Sequence, residues 1–104
     1  MISLKSKREI RIIQEAADIL KLVFAGVKAA VSPEAKTHDL DRIAEAVILK
    51  AGAKPAFKGY RGFPATACIS INEEVVHGIP GDKKLREGDI VSIDVGVELK
   101  GYYA

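Results

Sequence analysis

Asp94 is the residue whose chemical type fits its surroundings least. It stands inside DIVSIDVGVEL, an alternation of apolar and polar residues that is typical of a β-strand. Aspartate is depleted in strands because its short charged side chain packs poorly on a half-buried pleated surface. A buried carboxylate needs a partner charge or a metal ion, which makes Asp94 a candidate functional residue. The alternative is a strand face that simply meets water.

Two predicted strands place small and polar side chains on one face. Ser92 and Asp94 alternate with the apolar residues of the second strand, and Cys68 and Ser70 do so in the first. Together with Gly96, which adds room, these side chains would form the floor of a pocket if both strands lie in one sheet. The apolar residues that we expect in the core are Ala67, Ile69, Ile71, Val91, Ile93, Val95, Val97 and Leu99.

His77 is the second candidate for chemistry. It ends an extended piece and directly precedes a glycine and the Pro80-Gly81 turn. A neutral histidine both donates and accepts hydrogen bonds near physiological pH, and loops at strand ends often carry catalytic groups. Many such histidines are only surface residues, so position alone leaves both interpretations open.

The segment PAFKGYRGFPATAC is the third candidate. Phe57, Tyr60 and Phe63 are interleaved with Gly59 and Gly62. Glycine allows close approach of the backbone to a ligand, and aromatic rings supply a large apolar contact area. The segment therefore suits the wall of a pocket for an apolar side chain. The alternative is a loop that its aromatic residues pin to the core.

Two helices are predicted to precede these strands. The first, over about 7–31, opens with Ser6 and Glu9 at the spacing of a capping box. The second covers about 38–51, with Thr37 as its N-cap and Gly52 as its stop. The apolar stripe predicted for the first helix is Ile10, Ile13, Ala17, Leu20, Phe24 and Val27. That predicted for the second is Leu40, Ile43, Ala44, Val47 and Ile48.

The pattern changes to a period of two after Lys54. It predicts strands at about 66–71, 74–77 and 89–99, with a turn near Asn72. Helices first and strands second, without a repeat or a linker, indicate a single α+β domain over 1–104. Its two helices would pack on one face of an antiparallel sheet.

Composition excludes several classes of protein. A net charge of +2 from 16 basic and 14 acidic residues argues against a nucleic-acid surface. No apolar run reaches the roughly 20 residues of a membrane span. A single cysteine, Cys68, suits a reducing compartment, so we expect a cytoplasmic protein without membrane contact. The scarcity of Asn, Gln, Cys and Met beside many Lys and Glu is typical of thermophile proteins.

Two long segments, FKGYRGFPATACISINEEVVHGIPGD and LREGDIVSIDVGVELKGYYA, closely resemble the bacterial type I methionine aminopeptidases. The stretch NEEVVHGIP separates these from the type II enzymes, and the resemblance covers essentially all 104 residues. It implies the N-terminal half of the pita-bread fold, in which two related halves enclose a dinuclear metal centre. It also implies hydrolytic removal of the initiator methionine from nascent polypeptide N-termini.

The resemblance assigns roles by position. Asp94 matches a metal-ligating aspartate, and His77 matches the catalytic histidine that contacts the scissile peptide of the substrate. Phe57, Tyr60, Phe63 and Cys68 match or border the pocket for the methionine side chain, whereas Arg61 receives no role. The family uses two divalent ions, such as Co, Mn, Fe or Zn, which lower the pKa of a bridging water and polarise the carbonyl.

The resemblance also implies that this chain is only the N-terminal portion of such an enzyme. The second metal-binding aspartate would follow Ala104 directly, and the other ligands lie farther on. A lone carboxylate does not hold a catalytic ion against water, so we expect the chain alone to be inactive and metal-free. An unpaired sheet edge predicts a homodimer. The alternative is a non-catalytic pita-bread-like interaction module.

Overall fold

The computed structural model describes residues 6–72 and 78–104. His77 and the strand predicted over 74–77 lie outside the described residues. The helices are α1 (Lys7–Ala30) and α2 (Thr37–Lys50), with one 3₁₀ turn at Tyr60–Gly62. The strands are β1 (Lys54–Pro55), β2 (Ala67–Ile71), β3 (Val91–Val95), β4 (Val97–Leu99) and β5 (Tyr102–Tyr103).

The predicted capping box at the start of α1 is confirmed. The amide of Ser6 donates to Glu9 Oε1 at 2.9 Å, and the amide of Glu9 donates to Ser6 Oγ at 3.1 Å. These two bonds satisfy backbone groups that a helix start leaves without partners. Glu9 also ties α1 to the end of the chain, because the hydroxyl of Tyr102 donates to its Oε2 at 2.9 Å.

The apolar stripe predicted for α1 is confirmed at Val27, which is buried, and at Leu20, which packs partly buried against the core, but it is wrong at Ile10 and Phe24. Ile10 is 57% exposed and Phe24 is 43% exposed. The reason is that α1 carries two adjacent apolar stripes, and neighbouring elements cover the other one. Gly26 marks the side that faces α2, since a β-carbon there would lie 3.5 Å from Ile43 and Val47. The residues that α1 buries are Ile12, Ala16, Ile19, Val23 and Val27.

The N-cap predicted for α2 is also wrong. Lys36 occupies that position without a side-chain bond, and Thr37 is the first helical residue. The Thr37 hydroxyl is instead engaged in a tertiary contact. It accepts from the amide of Gly81 at 2.9 Å and donates to the carbonyl of Gly81 at 3.2 Å. Leu40, Ala44 and Ile48 are buried as predicted, and Ile43 and Val47 pack partly buried against the core.

The strand predicted over 89–99 is divided at Gly96. Before it, β3 pairs antiparallel with β2; after it, β4 pairs antiparallel with β1 and β5. The division has a local cause. The amide of Ala56 donates to the carbonyl of Gly96 at 2.9 Å, and a β-carbon at Gly96 would lie only 3.1 Å from that of Ala56. Only glycine leaves room for this crossing, so the extended run changes partners there.

The two antiparallel sheets and the two helices share one core. Helix α1 packs on α2, β4 and β5, and α2 packs on β1 and β2. The alternation predicted for the strands survives the break at Gly96, because Val95, Val97 and Leu99 are all buried. Within residues 6–72 and 78–104, neither helix has the length and apolar character needed to cross a membrane.

Candidate functional site

Strands β2 and β3 place Cys68 directly opposite Asp94. Their register also pairs Ser70 with Ser92, and it turns Ala67, Ile69 and Ile71 to the core. The small polar face predicted from the sequence is therefore present. Asp94 itself is exposed, so its carboxylate does not need the buried partner charge that would otherwise be required.

The aromatic segment folds into a tight loop beside this face. Gly59 adopts a φ of 83° and donates from its amide to the carbonyl of Phe63 at 2.8 Å. The amide of Tyr60 donates to Phe57 O at 2.9 Å, and that of Phe63 donates to Tyr60 O at 3.0 Å. These bonds bring three rings that are spread over seven residues into one turn. Positive φ at Gly59 is a conformation that side-chain-bearing residues rarely adopt.

A cavity of about 590 Å³ lies between the aromatic loop and the two strands. Phe57, Tyr60, Phe63, Cys68 and Asp94 all line it, so five of the six predicted site residues lie around one space. The sixth, His77, lies outside the described residues. The lining of this cavity is Phe57, Tyr60, Arg61, Gly62, Phe63, Pro64, Cys68, Ile79 and Asp94.

Arg61 and Ile79 are lining residues that sequence reasoning missed. The guanidinium of Arg61 lies 5.4 Å from the centre of the Tyr60 ring, within the range of a cation–π contact. Arg61 has a φ of 49°, so the turn itself directs this side chain. Ile79 is 62% exposed and follows Gly78 in the loop after β2. Arg61 could have been found from its place between Tyr60 and Phe63, but no local pattern pointed to Ile79.

Gly96 lies against the ring of Phe57, one of the residues that line the cavity. A β-carbon at this position would lie 3.1 Å from Cε1 of Phe57. The ring of Phe57 therefore rests against a backbone that has no side chain. Gly96 was predicted to add room at the pocket floor, and the ring of Phe57 occupies the room that it leaves.

The loop after β2 is fastened at two places. The amide of Ile69 donates to the carbonyl of Gly78 at 2.8 Å, and a β-carbon on Gly78 would run into the Ile69 carbonyl. Farther along, the amide of His38 donates to Gly81 O at 3.0 Å, beside the two Thr37 bonds described above. These contacts hold the part of the loop that carries Ile79 against the cavity.

Cys68 presents a neutral thiol to the cavity. Burial raises the pKa of the Cys68 thiol above its usual range, and the negative charges of Asp94 and Asp41 raise that pKa further. A thiol in its protonated form behaves as a small, polarisable apolar group rather than as a nucleophile. The rings, the thiol and Ile79 together make a wall suited to an apolar side chain.

The described residues do not by themselves fit a resident metal ion. Within 6–72 and 78–104, no three His, Cys, Asp or Glu side chains are grouped where they could hold one. Asp94 offers a single exposed carboxylate among the residues that line the cavity. Hard divalent ions need several oxygen or nitrogen donors to displace their water, so further ligands would have to come from elsewhere.

The chain was compared with known proteins. It is 55% identical over 101 residues to a methionine aminopeptidase of Borreliella burgdorferi, covering 97% of this chain and 40% of that protein. It is 50% identical to methionine aminopeptidase 1 of Bacillus subtilis, covering 99% of this chain and 42% of that protein. The crystal structure of methionine aminopeptidase from Thermotoga maritima superimposes with a TM-score of 0.94 at 38% identity, covering 99% of this chain and 42% of that one.

These relatives agree in the pita-bread fold, and the chain spans about 40% of the length of those it matches. The model of metallopeptidase family M24, whose members are metal-dependent hydrolases, matches residues 11–104. The chain belongs to metallopeptidase family M24 and resembles its bacterial type I methionine aminopeptidases.

Proposed function

We propose that this chain forms the part of a cytoplasmic methionine aminopeptidase that receives the first side chain of a nascent polypeptide. The observation that carries the proposal is the cavity itself. Phe57, Tyr60, Phe63, Cys68 and Asp94 all line it. The similarity to methionine aminopeptidases over the whole chain supports the same function.

The chemistry of the wall suits the methionine side chain. A thioether is unbranched and polarisable, and it makes favourable contacts with aromatic rings of about 0.3–1.5 kcal/mol each. Three rings and a neutral thiol offer several such contacts without a charge among them. A lysine or glutamate side chain would instead lose hydration against these rings and this thiol, which carry no charge that could pair with it.

Asp94 and His77 are the residues that we expect to act at the scissile peptide of the substrate. We propose that Asp94 contributes one carboxylate to a two-ion centre whose other ligands lie outside residues 6–72 and 78–104. When bound, such ions lower the pKa of a water and polarise the scissile carbonyl. His77, which precedes the fastened Gly78, would contact the scissile peptide. Ile79, two residues after His77 in the sequence, lines the same cavity as Asp94. This supports a position of the scissile peptide near Asp94.

Ligand binding by the 104-residue chain tests the pocket. We expect L-methioninamide to shift the amide NMR signals of the Cys68 and Phe63 region, and L-lysinamide at equal concentration to leave them unchanged. Phe63→Ala should weaken methioninamide binding by about tenfold, since a ligand that loses its contact with this half-buried ring loses roughly 1–2 kcal/mol of binding free energy.

Phe24→Ala is the matched control, because Phe24 lies exposed on α1. It should leave methioninamide affinity unchanged. Equal binding of methioninamide and lysinamide, or equal effects of the two phenylalanine variants, would contradict the proposal.

The coding sequence after the Ala104 codon tests the metal proposal independently. An aspartate codon directly after it, followed by a long open frame, supports an enzyme whose remaining ligands lie farther on. A stop codon there would support the non-catalytic interaction module instead. Association of two copies stays a prediction, and a monomer in sedimentation at high concentration would contradict it.

A further inference from the structure

We propose that Asp41 is a positioning residue for the pocket: from α2 it holds the backbone amides at the start of β2 and so fixes the place of Cys68 in the cavity wall. The methionine side chain as the occupant of that cavity rests on the function proposed above. The positioning itself stands on the contacts of Asp41 and is tested separately.

The contact joins two segments that are distant in the sequence. Asp41 Oδ1 accepts a hydrogen bond from the amide of Ala67 at 2.7 Å, and the amide of Thr66 also donates to this carboxylate. Thr66 and Ala67 are fully buried. Buried amides need partners, and Asp41 supplies them where the aromatic loop becomes β2. The Thr66 hydroxyl has no hydrogen-bond partner among the described residues. Asp41 therefore holds this segment through its backbone amides and not through the Thr66 side chain.

The segment that Asp41 holds, Thr66 and Ala67, lies in the chain between residues that line the cavity. Phe63 and Pro64 line the cavity just before it, and Cys68 lines the cavity directly after Ala67. A shift of one residue at the start of a strand turns every following side chain to the opposite face. The carboxylate of Asp41 therefore sets which face Cys68 presents, and with it the pairing of Cys68 with Asp94.

Glu45 makes a weaker second attachment one turn along α2. Its Oε1 accepts from Lys58 Nζ at 2.7 Å, and Lys58 belongs to the aromatic loop. Both partners of that ion pair are partly open to solvent, where such pairs contribute little. Asp41 bonds to buried amides instead, so we assign the positioning to Asp41.

The charge environment of Asp41 makes the contact measurable by pH. Burial raises the pKa of the Asp41 carboxyl above its usual range, and the hydrogen bonds from the two amides lower this pKa in part. The titratable groups that face it are Glu45 on its own helix, Lys58 on the loop and Cys68 on β2. Glu45 raises the Asp41 pKa and Lys58 lowers it. Protonation weakens the acceptor, so the amide protons of Thr66 and Ala67 should report it.

The test uses the ¹⁵N-labelled 104-residue chain with three variants. Asp41→Ala and Asp41→Asn should shift the amide signals of Thr66, Ala67 and Cys68. Asp39→Asn is the matched control, since Asp39 is an exposed carboxylate at the start of the same helix. We expect L-methioninamide affinity to fall about tenfold in Asp41→Ala, less in Asp41→Asn, which keeps one acceptor oxygen, and not at all in Asp39→Asn.

A purely structural role would lower the melting temperature of Asp41→Asn without changing the affinity of its folded form, and that result would overturn the proposal. If Asp41→Ala does not fold, the wild-type chain still decides. The Thr66 and Ala67 amide protons must then move together with one midpoint, that of the Asp41 carboxyl, and independent or absent movement would overturn the proposal. If methioninamide binds to no variant, the proposed function fails, while the amide shifts still decide the role of Asp41.

Discussion

Cys68 on β2 and Asp94 on β3 are cross-strand partners in one antiparallel register, and both side chains line the same cavity. A thiol that is kept neutral and an exposed carboxylate are therefore neighbours at the floor of the site. The register fixes this relationship, because a slip of one residue would turn one of the two side chains toward the core. Contacts that hold the register accordingly act on the site as well as on the fold.

The contact of Gly78 with Ile69 on β2 is the first of these to test. Gly78→Ala should lower the free energy of unfolding by about 3 kcal/mol, because the added methyl group would collide with the Ile69 backbone, which has nowhere to move in β2. Urea denaturation followed by circular dichroism measures the change. Gly81→Ala is the control, since a β-carbon there meets nothing within 4 Å. Equal stability of the two variants would contradict the position of Gly78.

Asn72 and Asp89 join the ends of β2 and β3, and this contact predicts a pH effect. The side-chain amide of Asn72 donates to Asp89 Oδ1 at 3.0 Å, and the amide of Arg86 donates to Asp89 Oδ2 at 2.8 Å. These bonds lower the pKa of the Asp89 carboxyl below its usual range. The folded form then binds this proton less readily than the unfolded chain. The stabilisation is thus present above the unfolded pKa and is lost as the pH falls through the folded one.

Asn72→Ala should therefore move the Asp89 titration to higher pH, as measured by the ¹³C signal of its carboxyl. Gln14→Ala removes a comparable amide from α1, where it bonds to Asp18, and should leave the Asp89 titration unchanged. An Asp89 titration that is the same in wild type and Asn72→Ala would show that the bond does not form.

The face of Asp94 was predictable from the sequence, but the buried face of α1 was not. Strand alternation has a strict period of two, so one apolar residue fixes the orientation of its neighbours, and the shared face of Cys68 and Asp94 follows once the two strands lie in one sheet. Their direct pairing depends on the register of β2 and β3, which alternation does not determine. Helix α1 has apolar residues over a wider arc than it buries. Its sequence therefore permits either Ile10 or Ile12 in the core, and only the packing of α2 and the sheets selects Ile12.

Tertiary hydrogen bonds account for the roles of Thr37 and Asp41, which the sequence did not identify. Thr37 looked like an N-cap because threonine favours that position, but its hydroxyl bonds to Gly81, 44 positions away. The bond of Asp41 to Ala67 likewise spans 26 positions. The aromatic loop was recognisable because its rings and glycines are contiguous. Contacts between distant segments leave no such local pattern.

The 104-residue chain should not release methionine from a Met-Ala-Ser peptide with added cobalt or manganese. Its described residues supply Asp94 without the further ligands that a divalent ion needs. Chromatography of the products against peptide and metal alone measures any release. Metal-dependent release that Asp94→Asn abolishes would contradict this prediction and would place a complete metal site in the chain.

The most direct test of the account is the position of a bound methionine side chain. Nuclear Overhauser effects between the methyl group of L-methioninamide and the 104-residue chain report that position in solution. The account predicts contacts from this methyl group to the rings of Phe57, Tyr60 and Phe63. Contacts at the separate groove near Lys83 and Arg86, with none to the three rings, would contradict it.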